Sequence, residues 1–226
     1  MRKAVNVLLI LIMGVMVMAF YPPDERLEDA CEVIKELSSM PDSEAFVELL
    51  KRAKGIAVFP NVIKAGFVVG GQYGEGFLLR KDSETGQWYG PLFLRLYKMS
   101  YGMQVGAQSI GLVLLIMNDT GFEGFTKDNI TLGGSLSIAA GPIGRNLSAD
   151  VDYSLQTILS YSISKGFFIG FTVEGSVVKI DRKAIEEYYG EYISPKAILN
   201  EKIADSYEVN KLLKLIEDIT GEGQAL

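Results

Sequence analysis

Residues 161–176 read YSISKGFFIGFTVEGS. Tyr161, Ile163, Phe167, Ile169, Phe171 and Val173 occupy odd positions, and the even positions are mostly small or polar. A period of two marks a half-buried strand. The alternation begins earlier, at Asp150, with Val151, Tyr153, Leu155, Leu159, Tyr161 and Ile163 on one face and Asp150, Asp152, Ser154, Gln156, Ser160 and Ser162 on the other. One strand from there to Glu174 would be about 80 Å long at ~3.3 Å per residue, too long for a domain of this size. It must fold back, and Ser164-Lys165-Gly166 is the turn chemistry inside it.

Two registers compete. A two-residue loop at Lys165-Gly166 sets Ile163 opposite Phe168 and mixes large and small side chains on each face. A three-residue loop with a left-handed Gly166 sets Ile163 opposite Phe167, Tyr161 opposite Ile169 and Leu159 opposite Phe171, which gathers the large side chains on one face. The sequence therefore predicts the three-residue loop, with Lys165 as an exposed hairpin tip. Ser160, Ser162, Gly170 and Thr172 then form a small, hydroxyl-bearing face, either solvated or covered by another element or an acyl chain.

Outward from this hairpin, residues 56–179 read as β-rich. Short apolar runs (IAVF, AGFVV, GFLLRK, LFLRLY, GLVLLIM) are separated by glycines, Pro60, Pro91 and the polar turn DSETGQ. Helices flank them. Leu27, Ala30, Cys31, Ile34 and Leu37 follow helical spacing from Asp24 to about Ser39. Phe46, Leu49, Leu50 and Ala53 form a second stripe that stops at Gly55 and carries Lys51, Arg52 and Lys54 at its end. Those bases complement the helix dipole or form a patch for anionic headgroups. Asn118–Asn129 is read as a loop or a single helical turn. Near the C-terminus, Asp181 caps RKAIEEYY, which stops at Gly190; Ser194-Pro195 opens another helix, and Val209, Leu212, Leu213 and Ile216 mark the last. The fold class is α+β: an antiparallel, partly barrel-like sheet flanked by N- and C-terminal helices.

Composition narrows the chemistry. The chain of 226 residues has 22 Lys and Arg against 28 Asp and Glu, no histidine and one cysteine. A net charge of −6 argues against nucleic-acid binding, which needs dense positive charge. Without histidine the commonest general base and metal ligand is missing, and Cys31 alone forms no CxxC site. Neither metal nor cofactor is expected. Ser162-Ile163-Ser164-Lys165 spells S-x-x-K, but that nucleophile motif needs a helix, and this copy lies on a strand entering a turn. GGQYGEG (residues 70–76) lacks the order of a dinucleotide loop. No enzyme activity is expected. AAGPIGRN (residues 139–146) is a tight turn in which Arg145 holds an anion or pairs with an acid such as Asp150.

Arg2 and Lys3 precede an apolar run that ends at Val17-Met18-Ala19, followed by Tyr21-Pro22-Pro23. Residues 1–19 are read as a signal peptide cleaved after Ala19, with an uncleaved anchor as the alternative, and residues 20–226 as one domain. Cleavage removes two bases and no acid, leaving 20 against 28, or −8.

Taken in order, AKGIAVFPNVIKAGFVVGGQYGEGFLL (residues 53–79), GMQVGAQ (102–108), LGGSLSIAAGPIGR (132–145), YSISKGFFIGFTVEGS (161–176) and YYG (188–190) resemble the SYLF domain family over about residues 27–215. The resemblance implies a non-enzymatic domain that binds membrane lipids, phosphoinositides being the ligands of eukaryotic members, some of which also engage actin. Exported prokaryotic members resemble this chain best, and such a protein meets neither phosphoinositides nor actin. Together these readings describe an exported, membrane- or envelope-associated lipid-binding protein, periplasmic or otherwise extracytoplasmic. The alternative is a scaffold using the same sheet to hold envelope proteins. Ser160, Ser162, Gly170 and Thr172 are the acyl-chain candidates, Arg145 and Lys165 the headgroup candidates, and Lys51, Arg52 and Lys54 a second headgroup patch.

Overall fold

The computed structural model describes residues 21–67, 69–101, 106–143 and 157–221. Among these, six helices flank one curled sheet of nine strands. Two helices come first: α1 (Pro23–Ser38), which buries Leu27, Ala30, Val33, Ile34 and Leu37, and α2 (Glu44–Arg52), which buries Phe46, Leu49 and Leu50. Four long strands follow: β1 (Gly55–Phe67), β2 (Val69–Lys81), β3 (Trp88–Tyr101) and β4 (Gly106–Ile116). Gly55 is thus no helix stop. Helix α2 ends at an extended Ala53, and Gly55 opens β1, where a Cβ would lie 2.4 Å from the Leu79 carbonyl oxygen.

A two-turn helix, α3 (Asp119–Phe125), occupies the segment read as a loop or single turn. Next come β5 (Asn129–Thr131), β6 (Ile138–Ala140), β7 (Ile158–Ser164), β8 (Phe167–Phe168) and β9 (Val177–Ile180). The chain closes with α4 (Arg182–Tyr189), α5 (Pro195–Glu201) and α6 (Tyr207–Thr220). Their caps match the sequence: the Asp181 carboxylate accepts from the Ala184 N–H, Ser194 accepts from Ala197, and Gly190 is left-handed at φ 78°.

Strand order is β5-β9-β3-β2-β1-β4-β7-β6, with β8 on β7. Every pairing is antiparallel except β6 with β7. The edge strands β5 and β6 are neighbours in the chain. In a flat sheet, seven spacings would put them about 34 Å apart at ~4.8 Å each. Thr131 and Ile138 are seven residues apart and reach at most about 25 Å. The sheet must therefore curl until its edges approach, and residues 132–137 bridge the gap. Leu132 N–H donates to Ser176 O and Ile158 N–H to Ser137 O, tying this bridge to both sides. The fold is the partly closed barrel with flanking helices that the sequence implied.

Register assigns the faces, because residues directly opposite in an antiparallel ladder project to the same side. The outer face carries Gly111, Glu75, Arg95 and Ile163 and receives α1, which packs on β1, β2, β4 and α6. A Cβ on Gly111 would sit 3.0 Å from both Val33 methyls and from Ile163, so glycine sets how closely α1 approaches. The inner face carries Val62, Leu78, Leu94, Leu96, Ile110, Leu112 and Leu114, all buried.

At the hairpin the structure corrects the sequence reading. Ile163 pairs with Phe168 and Ser164 with Phe167, a two-residue loop with Lys165 at φ 51° and Gly166 at φ 79°. Two left-handed residues match the type I′ turn, whose twist suits the flanking strands. The face-sorting argument failed because residues 158–163 are buried on both sides, leaving no polar face to protect. The alternation in residues 150–156 lies outside the described residues.

Candidate functional site

The four long strands outrun the helices. Their lower halves are buried, whereas around Asn61–Gly66, Gly70–Tyr73, Tyr97–Met99 and Ala107–Ser109 most side chains are at least partly exposed. On the outer face this end presents Ile63, Ala65, Gly71, Tyr73, Tyr97, Met99, Ala107 and Ser109, a shallow and largely apolar surface. Met99 is 73% exposed and Ile63 49%. Beside them the β7–β8 turn holds out Phe167, 74% exposed, anchored where the Ser164 hydroxyl donates to Ser109 O at 2.9 Å.

A cleft of about 960 Å³ opens between this turn, β1, β4 and α1. Asp29, Glu32 and Glu36 line its helix side, Lys165 its turn, and Val33, Pro60, Ile163, Phe167 and Ile169 its apolar walls. A second cleft of about 410 Å³ lies near the N-terminus of α1, where Pro22, Pro23, Tyr188 and Tyr189 meet Asp24, Glu187, Asp205 and Glu208. Burial, followed by Glu208, raises the Asp24 carboxyl above its usual range.

The inner face of the open end is polar. Gln108, Lys64, Gln72 and Lys98 are successive partners across β4, β1, β2 and β3. The Lys98 ammonium donates to Thr172 O at 2.8 Å, holding the segment after β8 across the mouth of the curl, where Phe171 and Val173 are buried. Burial foremost, then the charge of Lys64, lowers the Lys98 pKa, while Glu174 opposes the shift.

The predicted site residues divide among these features. Lys165 lies at the cleft, exposed on its turn. Ser160 and Ser162 are buried, and their hydroxyls donate to Ala139 O at 3.2 Å and Ile169 O at 2.6 Å. They bind neighbouring backbone and offer no open face. Gly170 and Thr172 are exposed beyond β8. Arg145 lies outside the described residues. Lys51 and Arg52 are exposed at the end of α2, Arg52 3.8 Å from Glu48, and Lys54 donates to Asp119 at 2.7 Å. This patch is thus separate from the cleft lining and partly engaged by acids.

Sequence reasoning missed the buried charges. Arg26, fully buried on α1, donates to Glu75 at 2.8 Å and Asp181 at 3.0 Å. Arg95 approaches the same two acids at 3.4 and 2.8 Å. The Tyr73 hydroxyl also donates to Glu75. Two cations and two anions thus neutralise one another where α1 crosses the sheet, as burial requires. The available signal was Arg26 on the apolar face of α1, beside Leu27 and Ala30.

Comparison with known proteins fits this architecture. The family model described as "Ysc84: Las17-binding protein actin regulator" matches residues 97–219. The chain is 33% identical over 173 residues to Protein YSC84 of Saccharomyces cerevisiae, covering 75% of this chain and 36% of that protein. It is 33% identical over 174 residues to LAS seventeen-binding protein 3 of the same yeast, covering 75% and 38% respectively. It is 30% identical over 198 residues to SH3 domain-containing YSC84-like protein 1 of Bos taurus, covering 84% of this chain and 58% of that protein. The chain therefore spans less than two thirds of the length of each of these relatives. With its family match covering more than half of its residues and its motifs in order, the chain belongs to the Ysc84, or SYLF, family.

Proposed function

We propose that this is a non-enzymatic lipid-binding domain that meets a membrane with the open end of its curled sheet. One observation carries the reading: Ile63, Met99 and Phe167 are exposed at the end where Lys64, Lys98 and Lys165 also lie. Apolar side chains with lysines beside them suit the boundary between acyl chains and anionic headgroups. The overall acidity rules out adhesion through a broad positive field, so binding rests on insertion with local help from these lysines. Burying one Phe or Met side chain contributes roughly 1.5–3 kcal/mol. We further propose export, from the apolar run before Ala19, which places the domain on an extracytoplasmic membrane face.

Co-sedimentation with anionic and neutral vesicles tests the membrane contact. Phe167→Ser with Met99→Ser should weaken binding to both at least tenfold, with the circular dichroism spectrum unchanged. Unaltered binding by the folded double variant would overturn the reading.

A protein partner is the second reading, favoured by the family's description as Las17-binding and by the name of LAS seventeen-binding protein 3. Native mass spectrometry of protein from its own envelope separates the two: co-purified lipid supports the first, and a lipid-free complex with another protein the second.

A further inference from the structure

We propose that Lys64, Gln72 and Lys98 form a binding site for a phosphate ester that carries a free hydroxyl, of the glycerophosphate type. The three residues are direct partners on adjacent strands, Lys64 opposite Gln72 and Gln72 opposite Lys98, so all three project from the inner face. The lysine backbones stand two strand spacings apart, about 10 Å, with the glutamine on the strand between them.

Gln72 is 6% exposed, and its Oε1 accepts no hydrogen bond. Buried acceptors are seldom left this way, so the site asks for a donor. The ammonium groups on either side ask for the opposite. Lys98 uses one N–H on Thr172 O and has two more to offer; burial foremost, and then the charge of Lys64, lowers its pKa, and an anion beside both lysines would offset the second of these. A simple anion satisfies the lysines and leaves Oε1 unpartnered, and a neutral alcohol does the reverse. An ester with both groups satisfies all three.

The rows on either side of these residues differ in kind. Deeper in the curl the next inner-face row is Ile110, Val62, Gly74 and Leu96, an apolar floor. Toward the strand tips Gly66 and Gly70 are the next partners on β1 and β2 and add no side chain beside Lys64 and Gln72. A headgroup can therefore approach along the glycines and stop at the polar row. The site depends on the proposed membrane contact only if its ligand arrives as a lipid; a soluble ester needs no membrane.

Titration calorimetry of the intact domain with sn-glycerol 3-phosphate and with methyl phosphate tests the assignment. The hydroxylated ester should bind at least tenfold tighter. Gln72→Leu should abolish that preference while leaving methyl phosphate affinity within about twofold, and Lys64→Gln should weaken both at least fivefold. Equal affinities in the unaltered protein, or a preference that survives in folded Gln72→Leu, would overturn the proposal. Vesicles containing phosphatidylglycerol or phosphatidylmethanol distinguish the source: a Gln72-dependent preference for the former supports a lipid headgroup, and its confinement to the free ester supports a soluble ligand. Loss of vesicle binding in the Phe167/Met99 double variant with retained ester binding separates this site from the insertion surface.

Discussion

Arg26 and Asp181, separated by 155 positions in the chain, meet as a fully buried ion pair at 3.0 Å. The same carboxylate caps α4 through the Ala184 N–H, so one side chain joins the first helix described to the start of the C-terminal helices. Arg26→Met would leave Glu75 and Asp181 facing Arg95 alone, one negative charge uncompensated. The expected cost is about 3–5 kcal/mol. Urea denaturation checks it, and Glu75→Gln added to Arg26→Met should restore part of the loss.

The hairpin tip is strained at Lys165, a non-glycine residue held at φ 51°. Asparagine suits the first position of a type I′ turn, so Lys165→Asn should stabilise the domain by roughly 0.5–1 kcal/mol. Gly166→Val, at φ 79°, should cost about 1–3 kcal/mol. Thermal melts of both variants in parallel decide whether the two-residue loop persists in solution.

Met99 and Glu84 are exposed at opposite ends of β3 and its flanking turn. In a Cys31→Ala background, an environment-sensitive dye on Met99→Cys should shift to the blue when anionic vesicles are added, and the same dye on Glu84→Cys should not. Equal shifts at both positions would mean that the open end is not the membrane-facing end.

Burial, the hydrogen bond to Glu75 and that carboxylate's charge together raise the Tyr73 phenol pKa well above its ordinary value. A raised folded-state pKa stabilises the fold below the unfolded value, about 10, and that contribution is lost as pH rises through and beyond it. Urea stability should therefore decline above about pH 10. Tyr73→Phe should make the decline shallower, while the tyrosinate absorbance of the parent protein should lag behind that of the unfolded chain.

The ends of the C-terminal helices were legible because their signals are local: Asp181 three residues before Ala184, Ser194 before Pro195, Gly190 after Tyr189. The β-rich middle was legible from turn residues between apolar runs. The hairpin register was not, since choosing it required knowing that β7 is buried on both sides by elements distant in sequence. The charge cluster was hidden for the same reason, as Arg26, Glu75, Arg95 and Asp181 share no spacing and meet only after the sheet has curled. Whether Ser160 and Ser162 were solvated or covered stayed open because a sequence does not show which backbone carbonyl a hydroxyl will find. The polar row of Lys64, Gln72 and Lys98 depends on cross-strand register, and neither its members nor the glycines beyond them stand out in one dimension.

The bridge of residues 132–137 joins the two edges of the sheet, and Gly133-Gly134 lies within it. A single proteolytic cut there would untie the two edge strands from each other, leaving β5 held by β9 and β6 by β7. Either edge strand could then part from its neighbour and leave that neighbour's margin open to a second copy. One peptide bond in this bridge thus separates a self-contained domain from a chain prone to strand exchange, and resistance of the 133–134 bond to protease reports directly on how firmly the curl stays shut.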